Sequence, residues 1–183
     1  MSHPSNGRLP LLLMAVAAIT GLTILTAQAA PDLTDAEVAH VAVTANSIDV
    51  ALARFAQSRI RNEGIRKFAA TMIADHTAVN EQAAALAGKL GVTPKANAVS
   101  QSLLTGAAEA RAAIEPLRGG AFDRAYIERE VAYHQAVLNA IDGVLVPATA
   151  NAELKQLLVD VRPAIAAHLE HAKQLRNSLG SAK

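Results

Sequence analysis

The chain has 183 residues, enough for one domain of ordinary size, with 17 basic and 16 acidic side chains and neither cysteine nor tryptophan. So even a balance argues against nucleic acid or an acidic membrane surface as the main partner. Without cysteine there are no disulfides, no thiol chemistry and no lipid-accepting residue behind a leader.

Residues 1–29 carry a single charge, Arg8, then an apolar run from Leu11 to Thr26, and end in Ala27-Gln28-Ala29. A small-x-small tripeptide behind such a run marks a signal-peptidase site. Residues 1–29 therefore read as a signal peptide. Residues 30–183 read as the mature domain, periplasmic or otherwise exported, with no integral membrane association once cleaved. An uncleaved anchor is the alternative, since Leu11 to Ala29 is just long enough to span a bilayer. Gly21 within the run, the Ala-rich end and the lack of a basic stop-transfer cluster favour cleavage. The leader holds one basic residue and no acidic one, so the mature chain is formally neutral.

Beyond the leader, apolar residues recur at three- and four-residue spacing and strand-like alternation is scarce. Thr34 and Glu37 form a Thr-x-x-Glu capping box that opens a first helix to about Ser58, along Val38, Val41, Ala45, Ile48, Leu52 and Phe55. A second helix starts after Asn62 and runs to Leu90, where Gly91 ends it; its seam is Ile65, Phe68, Met72, His76, Val79, Ala83, Leu86 and Leu90. Residues 91–100 read as a loop, followed by a short helix from Gln101 to Glu115 stopped by Pro116. A third long helix spans Phe122 to Leu145 through Ile127, Val131, His134, Leu138 and Ile141. The fourth runs from Asn151 to Gly180 through Leu154, Leu158, Val161, Ile165, His168, Ala172 and Leu175, with a kink expected at Pro163.

Short links join helices one and two, and three and four, so each pair should form an antiparallel hairpin. Residues 91–120 are long enough to cross the whole length between the hairpins. The fold class expected is all-α: a ferritin-like four-helix bundle, two antiparallel hairpins joined by a long crossover with a short extra helix.

Each long helix places one metal-ligand type on or beside its core stripe: Asp49, His76, His134 and His168. Burying such a group unpaired costs roughly 2–7 kcal/mol, so four exceptions need a cause. All four lie within about 5 Å of their helix midpoints, at about 1.5 Å of rise per residue. Three imidazoles and a carboxylate at one height suit a single transition-metal ion, Zn²⁺, Fe²⁺, Cu²⁺ or Mn²⁺. The same four groups would equally make a metal-free polar network, with Asp49 accepting from an imidazole. Around them, Glu130 lies one turn before His134, as an orienting group or fifth ligand, and Asn80 one turn after His76. Asp75 stands beside the seam, and Tyr126 and Tyr133 flank the inner face of the third helix. His171, near a helix end, reads as a surface residue. Glu37-Val38-Ala39-His40 is formally a Glu-x-x-His, but Glu37 serves the cap and His40 faces the polar side. No Gly-rich phosphate loop, nucleophile elbow or Cys nucleophile is present.

The segment Phe68-Ala69-Ala70-Thr71-Met72-Ile73-Ala74-Asp75-His76-Thr77 resembles the "FA..M..DHT" signature of a bacterial family of exported ferritin-like proteins. That family is catalogued as a domain of unknown function, and its members are often labelled membrane proteins. Phe122-Asp123-x-x-Tyr126, His134, and His168-Leu169 after Pro163 resemble its later motifs, over about residues 32–178. The resemblance implies a ferritin-like fold outside the cytoplasm and no established activity. Relatives commonly carry Glu in the first helix where this chain has Asp49, one methylene shorter.

Di-iron bundles use Glu-x-x-His on two helices. Here Ile73, Val131 and Ile165 precede the three histidines at that spacing, which speaks against a carboxylate-bridged di-iron oxidase. Three readings stay open: a metal-binding, buffering or sensing bundle; a mononuclear metalloenzyme; and a non-catalytic structural or envelope-stress protein with a metal-free His/Asp network. A second copy of the chain or another envelope protein is the partner class considered.

Overall fold

The computed structural model describes residues 32–181, and everything described is helix or the turns between helices. The leader expected at residues 1–29 lies outside that range. Among the described residues no helix is long and apolar enough to cross a membrane.

Helix α1 spans Asp35–Gln57 behind the Thr34–Glu37 capping box, in which Thr34 Oγ1 accepts from Glu37 N and Glu37 reaches back to Thr34 N. Helix α2 spans Glu63–Leu90; Asn62 Oδ1 caps its start, and Gly91 ends it at φ 64°, a left-handed conformation that glycine adopts freely. Helix α3, Ala98–Ile114, begins three residues earlier than the sequence suggests, because Asn97 and Ser100 form a reciprocal cap that shortens the loop. Helix α4 spans Gly119–Ala140. The expected continuous helix to Leu145 gives way to a π-turn at Ile141–Leu145 and a single turn, α5, at Val146–Ala148. Helix α6, Ala152–Ser181, runs on through Pro163, which is exposed. The carbonyl that Pro163 leaves without a donor belongs to Val159, which is 45% exposed.

Contacts between helix ends fix the chain direction. Two buried or end-facing carboxylates each clasp the turn of the opposite hairpin. Asp123, near the start of α4, accepts from Arg61 N at 3.0 Å and Asn62 N at 2.8 Å, in the α1–α2 turn. Asp35, in the first turn of α1, accepts from Ala150 N at 2.8 Å and Asn151 N at 3.0 Å, just before α6. So α1 and α6 start at one end, and α2 and α4 start at the other. Asn97 Nδ2 donates to Glu37 O near the start of α3, and Arg59 donates to Glu115 O near its finish. Helix α3 therefore carries the chain back along the full length of α1, against which it mainly packs. Helix α1 packs along α2, and α4 along α6.

The core is divided. One apolar cluster, around Phe68, Met72, Phe122, Tyr126 and Ile127, fills the end at the α1–α2 turn. Another, around Val41, Leu138, Leu158, Ile165 and Leu169, fills the opposite end. Between them lies a polar layer.

Candidate metal centre

Each residue of that layer faces inward because of its helical spacing from apolar neighbours. Asp49 on α1 lies between the buried Ile48 and Leu52, and His76 on α2 lies one turn beyond Met72. Glu130 and His134 on α4 lie between Ile127 and Leu138, and His168 on α6 lies between Ile165 and Ala172. All five are buried, Asp49 and Glu130 completely.

The three imidazoles stand around a common point, with ring centroids 5.4–5.6 Å apart. One nitrogen of each lies within 4.8 Å of the corresponding nitrogens of the other two. Two ligand atoms on one ion, bonded at about 2.0–2.1 Å, are at most about 4.2 Å apart, so an ion would draw the rings together slightly.

Each ring is held from behind. His134 Nδ1 donates to Glu130 O at 2.9 Å. His168 Nε2 donates to Asp75 Oδ2 at 2.9 Å. His76 Nδ1 meets Asn46 Oδ1 at 2.7 Å. Because the partner atoms of His134 and His168 only accept, their outer nitrogens carry the proton; His76 has acceptor oxygens at both ring nitrogens, Asn46 Oδ1 and, 2.8 Å away, Asp49 Oδ2. The inner nitrogens, His134 Nε2, His168 Nδ1 and His76 Nε2, have no hydrogen-bond partner. An outer N–H anchored on oxygen and an inner lone pair left free is how histidine ligands are oriented toward a metal.

Two carboxylates close the other side. Asp49 Oδ2 lies 2.8 Å from His76 Nε2 and 3.6 Å from His134 Nε2. The shorter contact lacks hydrogen-bond alignment, since both atoms remain without such a partner. Asp49, Glu130 and His134 form a second group whose ligand atoms lie within 4.8 Å of one another. Burial alone would raise the Asp49 carboxyl, but the contact with His76 and the neighbouring imidazole charges outweigh it and hold the group below its ordinary range. Burial pushes Glu130 well above its ordinary range and the Asp49 charge adds to this, against the opposing Arg129 guanidinium 3.7 Å from Oε1. The metal-free protein thus holds one carboxylate and one protonated carboxyl. Burial also lowers His134 to about 4, and it lowers His168 against the pull of Asp75. At neutral pH both rings are uncharged and able to bind a cation.

The residues singled out in the sequence fall into three groups. Asp49, His76, His134 and His168 come together, and Glu130 joins them directly instead of standing behind them. Asp75, half exposed, orients His168. Tyr126 is buried, with its hydroxyl unpartnered and its ionisation pushed well up by burial and by the Glu130 and Asp49 charges. Asn80 does not touch His76; its Nδ2 donates to Ser47 Oγ at 3.1 Å, and Asn46 takes the expected place. The hydroxyl of Tyr133 donates to Ala45 O, away from the cluster. His171 is exposed against Phe68, and His40 meets Thr44. Asn46 and Arg129 went unnoticed in the sequence. Asn46 lies one turn from Asp49, a spacing that could have revealed it; Arg129, its guanidinium over the Tyr133 ring, has no such signal.

Eight inward atoms of this layer, counting Tyr126 Oη, have no protein hydrogen-bond partner. Each such atom typically costs about 1–3 kcal/mol, and a bound cation would satisfy most of them. The donor set is mixed nitrogen and oxygen, which suits Zn²⁺, Cu²⁺, Fe²⁺ or Mn²⁺ better than an all-oxygen ion.

Residues 22–175 match the family described as "Domain of unknown function (DUF4142)", and the chain belongs to it. No curated protein and no solved structure matches the chain.

Proposed function

We propose that this family member is an exported bundle that holds one divalent transition-metal ion at mid-height, through His76, His134 and His168, with Asp49 and Glu130 as its carboxylate ligands. One observation carries the reading: three buried imidazoles each anchor the outer nitrogen on an oxygen and turn a free inner nitrogen to the same point. The crossover along α1 and the two hairpins support reading the scaffold as ferritin-like. With Ile73, Val131 and Ile165 at the Glu-x-x-His positions, the site is mononuclear. Export rests on the Ala27-Gln28-Ala29 cleavage signal, and mature protein beginning at Ala30 is its test.

The burial of the ligands favours holding or sensing an ion over hydrolysing a polar substrate, because none of the five ligand side chains is more than 9% exposed. An ion bound there would supply Lewis acidity or, if redox-active, an electron. Arg129 would offset a fully ionised Glu130.

Elemental analysis of untagged protein from the exported fraction tests this, beside His76→Ala and His134→Ala. Near-stoichiometric metal that both variants lose is the expected result. A second reading follows from the 2.8 Å His76–Asp49 distance, which a proton could bridge: a metal-free network that sets helix register, with function carried by the surface. Protein that neither contains metal nor gains thermal stability with Zn²⁺, Cu²⁺, Fe²⁺ or Mn²⁺ would establish that reading and overturn the first.

A further inference from the structure

A partly open apolar cavity of about 90 Å³ lies in the half of the bundle where α1 and α6 begin. Its inner end is made by Asn46, Val79, Val137 and Ile165. These stand three residues from Asp49, His76, His134 and His168 on their respective helices, all on the same side, so they form the layer directly beneath the candidate metal centre. Its outer end reaches Asp35, Leu90 and Asn151, at helix termini. From Asp35 to Asn46 is eleven residues of helix, about 16 Å. The cavity is thus an elongated passage from one end of the bundle to the floor of the site.

Its walls are apolar, and small side chains, Ala39 and Ala42 on α1 and Ala83 and Ala87 on α2, contribute to them. Larger aliphatic side chains there would close it, as close-packed interiors normally do. The polar groups are confined to its ends. Asp35 and Asn151 rim the mouth, and Asn46 forms the floor, with its Oδ1 turned to His76. A cavity so lined offers water few hydrogen-bond partners and favours apolar molecules over it.

We propose that this passage binds small uncharged apolar molecules, of the size of dioxygen up to a short alkane, and brings them to the layer beneath the three imidazoles. Polar reactants are excluded by the same walls. Occupancy of the passage is independent of any metal; delivery to an ion rests on the metal-binding reading above.

Xenon is the probe, titrated into the metal-free mature chain and followed by methyl NMR. The expected result is saturable shifts at Val79, Val137, Leu158 and Ile165, with none at Ile65 or Met72 in the other half of the core. Ala83→Leu should abolish them, and Ala42→Val, a milder filling, should weaken them severalfold if the leucine variant fails to fold. Absence of saturable shifts in the wild type, or undiminished binding in a folded filling variant, overturns the proposal. Xenon binding in a protein that binds no metal keeps the passage and overturns delivery to an ion. Stoichiometric metal without xenon binding overturns the passage alone.

Discussion

His168 turns Nδ1 toward the centre because its Nε2 meets Asp75 Oδ2 at 2.9 Å across the α2–α6 interface. His134 turns the opposite nitrogen, Nε2, inward because its Nδ1 is taken by the carbonyl of Glu130 on its own helix. Two different anchors, one from a neighbouring helix and one local, so produce the same outcome at the centre.

Asp75 is half exposed and adds little to stability, yet it sets the ring of His168. Asp75→Ala should lower metal affinity by about 10–100-fold while shifting the metal-free melting temperature little. Competition against a chromophoric chelator reads the first and calorimetry the second. Unchanged affinity would remove Asp75 from the site.

Glu130 is raised by burial, so the folded protein keeps its proton more tightly than the unfolded chain. Its contribution to stability is present below the unfolded value and is lost as pH rises through the folded one. Glu130→Gln removes that loss. The metal-free variant should gain in melting temperature over wild type as pH rises from about 5 to about 9. It should also bind metal more weakly and release fewer protons on binding, as calorimetry in buffers of different ionisation enthalpy would measure.

His134 shifts the other way. Its folded value is about 4 against 6.5 for the free side chain, so the unfolded chain takes up the proton first. The stability involved is complete above pH 6.5 and lost as pH falls toward 4, by about 3 kcal/mol in all. His168 moves in the same direction. Thermal melts of metal-free Glu130→Gln, free of the opposing group, should show this acid loss; a flat profile would mean that these rings are charged or solvated in the fold.

Asp123 stands outside the site and serves the scaffold. Asp123→Ala leaves Arg61 N and Asn62 N without their acceptor and should cost about 2–4 kcal/mol, seen as a lower urea midpoint. The corresponding change at the other end, Asp35→Ala, should cost less, because its two amides belong to a more exposed turn.

Much of the architecture is written in local chemistry. Thr34 with Glu37, Asn62 and Gly91 mark helix ends through bonds to their own neighbours, so each is readable without knowing the fold. The start of α3 was missed because Asn97 and Ser100 cap a helix that the loop-like composition of residues 91–100 conceals. The π-turn at Ile141–Leu145 has no signature in periodicity, since one added residue hardly changes a short apolar pattern.

For the site, sequence alone determined which residue types stand at mid-height on each helix, because burial of His and Asp on an apolar stripe is a one-dimensional anomaly. Tertiary structure decided what they do together. The rotation of each helix about its axis is set by the packing of the two apolar clusters. That rotation brings Glu130 into the layer, gives His76 to Asn46 and sends Asn80 to Ser47, although Asn80 is only one turn from His76. Which nitrogen each ring presents depends on oxygens from other helices or from the backbone, and no spacing along the chain encodes that choice.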